Sequence, residues 1–138
     1  MNGPDFLDTN VLVYAYNAAA TAKQRLAQDL LRKALAGESL LSTQVLAEFA
    51  ATVLHKLSPP ARPGDLNAVL DGLRPIRVIT PDPELVRRAI HAHHEYGLHF
   101  YDGMIVAAAE RGGCRRIWSE DLNAGQKYFG VIVENPFR

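Results

Sequence analysis

Residues Phe6 to Asn17 read FLDTNVLVYAYN, an apolar run into which an aspartate, a threonine and an asparagine are set. Burying a carboxylate is costly unless a donor, a cation or water meets it. Asp8 therefore calls for a partner, and the rest of the chain indicates where to look. Phe6–Leu7 reads as a short strand, which puts Asp8 at its carboxyl end. Leu40–Leu41, Ile76–Thr80, Arg116–Ser119 and Val131–Val133 read as further short strands. Helical patterns lie between them. Ala22–Leu35 is Ala/Leu-rich and stops at Gly37. Thr43–Leu57 carries Val45, Leu46, Phe49, Val53 and Leu57 on one face. Asp82 followed by Pro83 is a helix start that ends near Gly97. Asp102 opens a helix apolar nearly all round, closed by Gly112-Gly113. Ser58–Gly64 (SPPARPG) reads as a loop between helices. Strands alternating with helices predict an α/β fold with a mainly parallel sheet.

The bulk properties bound the function. A chain of 138 residues fits one domain, residues 1–138, with a sizeable core. Lys plus Arg equals Asp plus Glu at 15 each, so net charge gives no support to nucleic-acid binding, although a neutral total can hide a basic rim around an acidic pit. The single cysteine, Cys114, excludes an internal disulfide or a thiolate zinc site and reads as inert. MNGPDF lacks the charged-then-apolar pattern of a signal peptide. The longest wholly apolar run, Met104–Ala109, is far too short to span a membrane. A cytoplasmic protein with no membrane partner is expected.

The acids collect at element boundaries. Asp8 follows the first strand, Glu120 and Asp121 follow the strand RRIWS, and Asp102 stands at the start of the buried helix. Sites of open α/β sheets form outside the carboxyl ends of the strands. Gathered carboxylates must protonate or meet a cation, and all-oxygen donors suit Mg²⁺ or Mn²⁺. Taken singly, Asp102 could instead cap its helix, and Asp121 could be a turn residue. Glu48 falls opposite the apolar stripe of its helix, where a solvated side chain is the reading from pattern alone. His91, His93, His94 and His99 form a second cluster, in which His91 lies one turn from His94 and from Glu95. No flanking ligand repeats the pattern, so a structural or solvent-facing role is the reading here.

The segments FLDTNVLVYA, STQVLAEFAAT, HFYDGMIVAAA and IWSEDLNAGQ, in that order, resemble the PIN-domain nucleases. More narrowly they resemble the VapC toxins of prokaryotic toxin–antitoxin pairs. The resemblance runs from Asp5 to the terminal ENPF. It implies a three-layer fold, with a twisted, mainly parallel sheet of about five strands flanked by helices. It carries four acids across: Asp8, Glu48 (against the pattern reading), Asp102 and Asp121, the last two residues after Ser119, with Glu120 as a neighbour that could be confused with it. Thr9, Asn10 and Ser119 match polar positions that orient those acids.

The implied activity is hydrolysis of RNA with one or two Mg²⁺ or Mn²⁺ ions. Asp8, Asp102 and Asp121 would bind metal, and Glu48 would ligate a second ion or orient the water. The implied partners are a structured RNA, a VapB-like antitoxin and a second copy in a homodimer. With four acids assigned to metal, the remaining cations outnumber the remaining acids by four. Lys23, Arg25, Arg32, Arg87, Arg88, Arg111, Arg115 and Arg116 are then candidates for phosphate contacts.

Three rivals are weighed against this. A phosphohydrolase with an Asp nucleophile commonly has a second Asp two residues on, where Asn10 stands. A PIN fold kept only as a binding module would not need all four acids. A PIN nuclease of RNA processing, outside toxin systems, has the same site.

Overall fold

In the computed structural model, which describes residues 3–138, Asp8 closes one element and opens the next. Its amide donates to the Trp118 carbonyl at 3.1 Å, the last rung of a strand pair. Its side chain then accepts from the Thr9 amide and caps a helix. The strand is β1 (Asp5–Leu7) and the helix is α1 (Thr9–Tyr16). An acid inside an apolar run is thus explained locally: the run is two elements, and the acid is their joint.

The chain continues through α2 (Thr21–Leu35), β2 (Ser39–Ser42), α3 (Thr43–His55), α4 (Pro63–Gly72), β3 (Val78–Ile79), α5 (Pro83–Tyr96), α6 (Phe100–Arg111), β4 (Arg116–Trp118), β5 (Lys127–Tyr128) and β6 (Val131–Glu134). The strands form one six-stranded sheet in the order β3-β2-β1-β4-β6-β5. All its pairings are parallel except β5 with β6. The expected α/β architecture is therefore present, with one strand more than the five anticipated. The addition is β5, joined to β6 by a tight turn with positive φ at both Phe129 (49°) and Gly130 (82°). Such turns favour Asn-Gly or Gly-Gly, so Phe-Gly gave no turn signal. Phe129 is held in that conformation by its surroundings: Tyr96 Oη accepts its amide proton, and the Arg88 guanidinium lies 3.5 Å from its ring centre.

Helix α6 packs on the sheet and α5 packs on α6, while α1 lies against α2 and α3. Gly103 to Ala109 are all buried, as an all-round apolar helix demands. The interior centres on Phe6, Leu7, Val11, Ile117, Val106 and Val133. Expected helix ends hold where caps were legible: Asp82 accepts from the Leu85 amide at 2.9 Å, and Gly97 ends α5 with a left-handed φ of 69°. The loop SPPARPG is shorter than expected, because Pro63 already occupies the first helical position of α4.

One start differs. Helix α6 begins at Phe100, capped by His99 Nδ1, which accepts from the Tyr101 amide at 3.3 Å. Asp102 sits inside the first turn and does not open the helix. Capping is done at His99, ahead of the buried stretch that begins at Gly103, and the Asp102 carboxylate is left free of that duty.

Candidate active site

The sheet order reverses at the seam between β1 and β4. The chain leaves β1 toward β2 on one side, whereas β4 lies on the other. Connections that diverge from neighbouring strands open a crevice at their carboxyl ends, which is where ligands bind in such sheets. Asp8 follows β1 at this seam, and Ser119, Glu120 and Asp121 follow β4. A cleft of about 570 Å³ opens there, with Glu48, Asp102 and Asp121 in its lining. Asp8 does not line it. Asp8 is only 6% exposed and lies beneath the floor.

Three of the four acids, Asp8, Glu48 and Asp121, are held by neighbouring polar side chains. Ser119, itself fully buried, donates to Asp8 Oδ2 at 2.7 Å, and Thr9 N–H donates to Asp8 Oδ1 at 2.8 Å. The same Ser119 oxygen accepts from the amides of Asp121 and Leu122, at 3.1 and 3.2 Å, and so shapes the loop that carries Asp121. Asn10 donates to Asp121 Oδ2 at 3.1 Å, and its carbonyl accepts from the Glu120 amide at 3.2 Å. Thr9 Oγ1 donates to Glu48 Oε1 at 2.8 Å. The three polar residues picked out beside Asp8 and Asp121 thus each touch an acid or the loop that carries one.

Glu48 is the clearest departure from the pattern reading. It is half-buried, tied to Thr9, and braced by Gln44, whose amide donates to Glu48 Oε2 at 3.2 Å and to the Tyr101 carbonyl at 2.9 Å. The side of α3 opposite its apolar stripe faces the cleft, because α1 and α6 rise beside it. Helical periodicity separates core from non-core, and it does not separate open solvent from a crevice.

The electrostatics follow from this crowding. Burial pushes the Asp8 carboxyl up to about 6, opposed by the bonds from Ser119 and Thr9 and reinforced by the charges of Asp121 and Glu48. Burial also raises Asp102. His99 opposes that shift, and Asp121 and Glu48 add to it. Glu120 goes the other way. Burial alone would raise it, but hydrogen bonds from Lys23 Nζ (2.6 Å) and Tyr14 Oη (2.5 Å) hold it below the ordinary range. Lys23 also lies 4.7 Å from the centre of the Tyr14 ring. Glu120 is therefore engaged by a cation and a phenol, whereas Asp121 is held by one amide.

The donor set fits a hard divalent cation. The charges of Glu48 and Asp121 raise the proton affinity of Asp8 and Asp102, Asp102 has no hydrogen-bond partner among the described residues, and Gln44 Oε1 is a buried oxygen with no donor. Among the described residues no three His, Cys, Asp or Glu side chains stand close enough together to chelate an ion as they lie. Ligation would require carboxylates to turn from their present partners toward the cleft.

The other candidates lie elsewhere. His91 pairs with Glu95 at 2.8 Å, His93 bonds the Leu98 carbonyl, and His99 caps α6. Arg32, Arg87, Arg88 and Arg111 pair with Asp29, Glu84, Glu110 and Asp82. Arg115 and Arg116 bind Asp5, at the amino end of β1 and away from the acids. Arg25 is exposed and does not line the cleft. Of the basic residues proposed for phosphate contact, only Lys23 bonds a residue that lines the cleft, Glu120, and it does not line the cleft itself. Cys114 is buried, and burial pushes its thiol up to about 12, which leaves it unreactive. Tyr14, Gln44, His55 and Lys56 were not singled out in the sequence. Counting turns of α3 from Glu48 would have found the last two.

A comparison with protein families finds the PIN domain, matched over residues 6–129. The chain belongs to the PIN-domain family. Solved structures share the fold at low identity. A toxin–antitoxin complex from Klebsiella pneumoniae is 16% identical, with a TM-score of 0.70 over 96% of this chain and 97% of that one. FitAB bound to the IR36 DNA fragment is 18% identical, with a TM-score of 0.66 over 97% and 96%. VapC20 from Mycobacterium tuberculosis, a sarcin-ricin loop cleaving toxin, is 19% identical, with a TM-score of 0.66 over 85% and 91%. No curated protein sequence matches. Among the described residues of this PIN domain, no helix is long and apolar enough to cross a membrane.

Proposed function

We propose that this PIN domain, as a single catalytic unit, is a Mg²⁺- or Mn²⁺-dependent endoribonuclease. In this reading it is the toxin of a type II toxin–antitoxin pair that cuts a structured RNA in the cytoplasm. The observation that carries the reading is the convergence of Asp8, Glu48, Asp102 and Asp121, from four separate segments, on one crevice at the β1/β4 seam. A purely structural protein has no use for acids gathered so that burial and neighbouring charge raise Asp8 and Asp102. Likeness to VapC20 and to the Klebsiella complex supports a VapC-type toxin with a VapB-like antitoxin partner, and a homodimeric state is part of the same proposal.

The residues divide the work. Ser119 and Thr9 fix Asp8 so that its charge lies under the cleft floor. Asn10 holds Asp121 at the rim, and Asp102 projects from the first turn of α6. Asp8, Asp102 and Asp121 would hold a divalent ion, which when bound would make a water easier to deprotonate and offset charge on the attacked phosphate. Glu48, steadied by Thr9 and Gln44, would ligate a second ion or orient the attacking water. Positioning for in-line attack is then the main demand on the protein.

The test is cleavage of end-labelled small RNA by antitoxin-free protein with Mn²⁺, with Mg²⁺, with EDTA, and with Asp8→Asn. Discrete metal-dependent cuts that vanish in Asp8→Asn support the reading. A folded wild type that is inert on every RNA, or that cuts equally well in EDTA, overturns it.

A further inference from the structure

The acids occupy one end of the cleft, and an RNA strand carries a negative charge at every step. Something else in the cleft must hold the strand. At the far end the lining is Thr52, His55 and Lys56, at the carboxyl end of α3. Glu48, Thr52 and the His55–Lys56 pair follow one another at turn spacing, so one face of α3 leads from acid to base. With a rise of 1.5 Å per residue, the basic pair stands roughly 11 Å from Glu48 along the axis. That is too far to touch the phosphate under attack and suits one further along the strand.

The two side chains are free for this. Among the described residues neither His55 nor Lys56 makes a side-chain hydrogen bond or an ion pair, unlike Lys23, which is committed to Glu120. Thr52 is not available, because its hydroxyl donates to the Glu48 carbonyl at 2.9 Å within the helix.

We propose that His55 and Lys56 form a phosphate-binding subsite, which holds the RNA backbone beyond the scissile bond and lays the strand along α3. Lys56 supplies a charge, and His55 supplies an N–H donor in either tautomer. The subsite rests on the nuclease reading for its purpose. Its existence can be measured without catalysis.

The experiment measures binding of a fluorescein-labelled hairpin RNA to Asp8→Asn protein over a range of salt concentrations. The same variant is then combined with Lys56→Ala, with His55→Ala and with both, and with Lys33→Ala on the exposed face of α2 as a charge control. Removing a charge-assisted hydrogen bond should weaken binding about tenfold. The slope of log affinity against log salt should fall by about 0.7 for each phosphate that is no longer neutralised. Lys56→Arg should restore the affinity, and Lys33→Ala should leave the slope as it was. In cleavage-competent protein the same substitutions should raise KM rather than lower kcat.

Unchanged affinity and slope, or a loss equal to that of Lys33→Ala, would overturn the subsite. So would a fall in melting temperature with no change in binding, which would make the pair a helix-end cap. If wild-type protein cuts no RNA yet the salt slope still depends on Lys56, the nuclease reading fails and the subsite stands.

Discussion

Ser119 Oγ stands 2.7 Å from Asp8 Oδ2 and donates to it, while the same oxygen accepts from the Asp121 and Leu122 amides. One buried hydroxyl therefore couples the acid of the first strand to the loop that bears the last acid. Ser119→Ala would leave two amides short of an acceptor and a buried carboxylate short of a donor. A loss of about 1–3 kcal/mol is expected, from the cost of unsatisfied buried groups. Urea unfolding of the two proteins measures it, and an unchanged midpoint would mean that the hydroxyl holds nothing.

Asp8 sets a pH dependence. Its folded-state carboxyl titrates at about 6 against an ordinary 3.8, so between those values the folded state binds more protons than the unfolded state. Its contribution to stability is therefore fully present below about 4 and is lost as pH rises to about 6. In EDTA, Asp8→Asn should flatten this part of the stability profile, so that its stability relative to wild type rises between about pH 4 and pH 7. Asp82 and Glu120, held below the ordinary range, slope the opposite way in both proteins and cancel in the comparison. Parallel profiles for the two proteins would contradict the buried, strained carboxyl.

A cation that relieves the crowded acids should stabilise the fold. Thermal melts with Mn²⁺ at a hundredfold excess over its Kd should show about 2.7 kcal/mol of stabilisation. Asp8→Asn and Asp102→Asn should each cut the shift, because each removes a charged donor. A shift of the same size in both variants would place the ion elsewhere.

Glu120 and Asp121 are adjacent acids in opposite circumstances. Lys23 and Tyr14 occupy both oxygens of Glu120, whereas Asp121 is met by the Asn10 amide alone. Calorimetric Mn²⁺ titration should therefore show Glu120→Gln binding much like wild type and Asp121→Asn binding at least tenfold more weakly, the effect of losing ~1.4 kcal/mol. The reverse ranking would transfer the ligand role to Glu120. Lys23→Ala should lower kcat more than it raises KM, since Lys23 holds the loop and does not reach into the cleft.

Gly103 lets α6 and α5 approach. A Cβ there would lie 2.8 Å from the Ala89 carbonyl oxygen, a backbone atom that cannot swing away. Gly103→Ala should cost about 1–3 kcal/mol by overpacking and should disturb the neighbouring Asp102. Melting temperature and Mn²⁺ affinity should fall together, and an unaffected melting temperature would argue against this helix packing.

Legibility differed by the range of the signal. Helix α5 was readable at both ends, because Asp82, Pro83 and Gly97 act through backbone geometry within a turn. The α/β class was readable because apolar periodicity changes between strand and helix. Helix α6 was anticipated from its apolar surface, but its start was misplaced at Asp102, because histidine is an uncommon cap. Strand β5 was missed because Phe129 adopts a left-handed φ that only its contacts with Tyr96 and Arg88 support. Among the site residues, Asp8 drew notice because a carboxylate in an apolar run needs a partner. Glu48 looked like a surface residue, and family resemblance alone singled it out.

The sequence by itself determined the alternation of elements, the caps of α5, and the acids at strand ends, because each of these depends on neighbours a few positions away. Only the tertiary structure decided which sheet seam opens, that Asp8 lies under the cleft floor while Asp102 and Asp121 line it, and that Lys23 is committed to Glu120. It also decided that the non-core face of α3 looks into a crevice, with Glu48 at one end and Lys56 at the other. Those outcomes join residues about 40 to 110 positions apart. Such pairings follow from strand order and helix packing, which a local pattern does not contain.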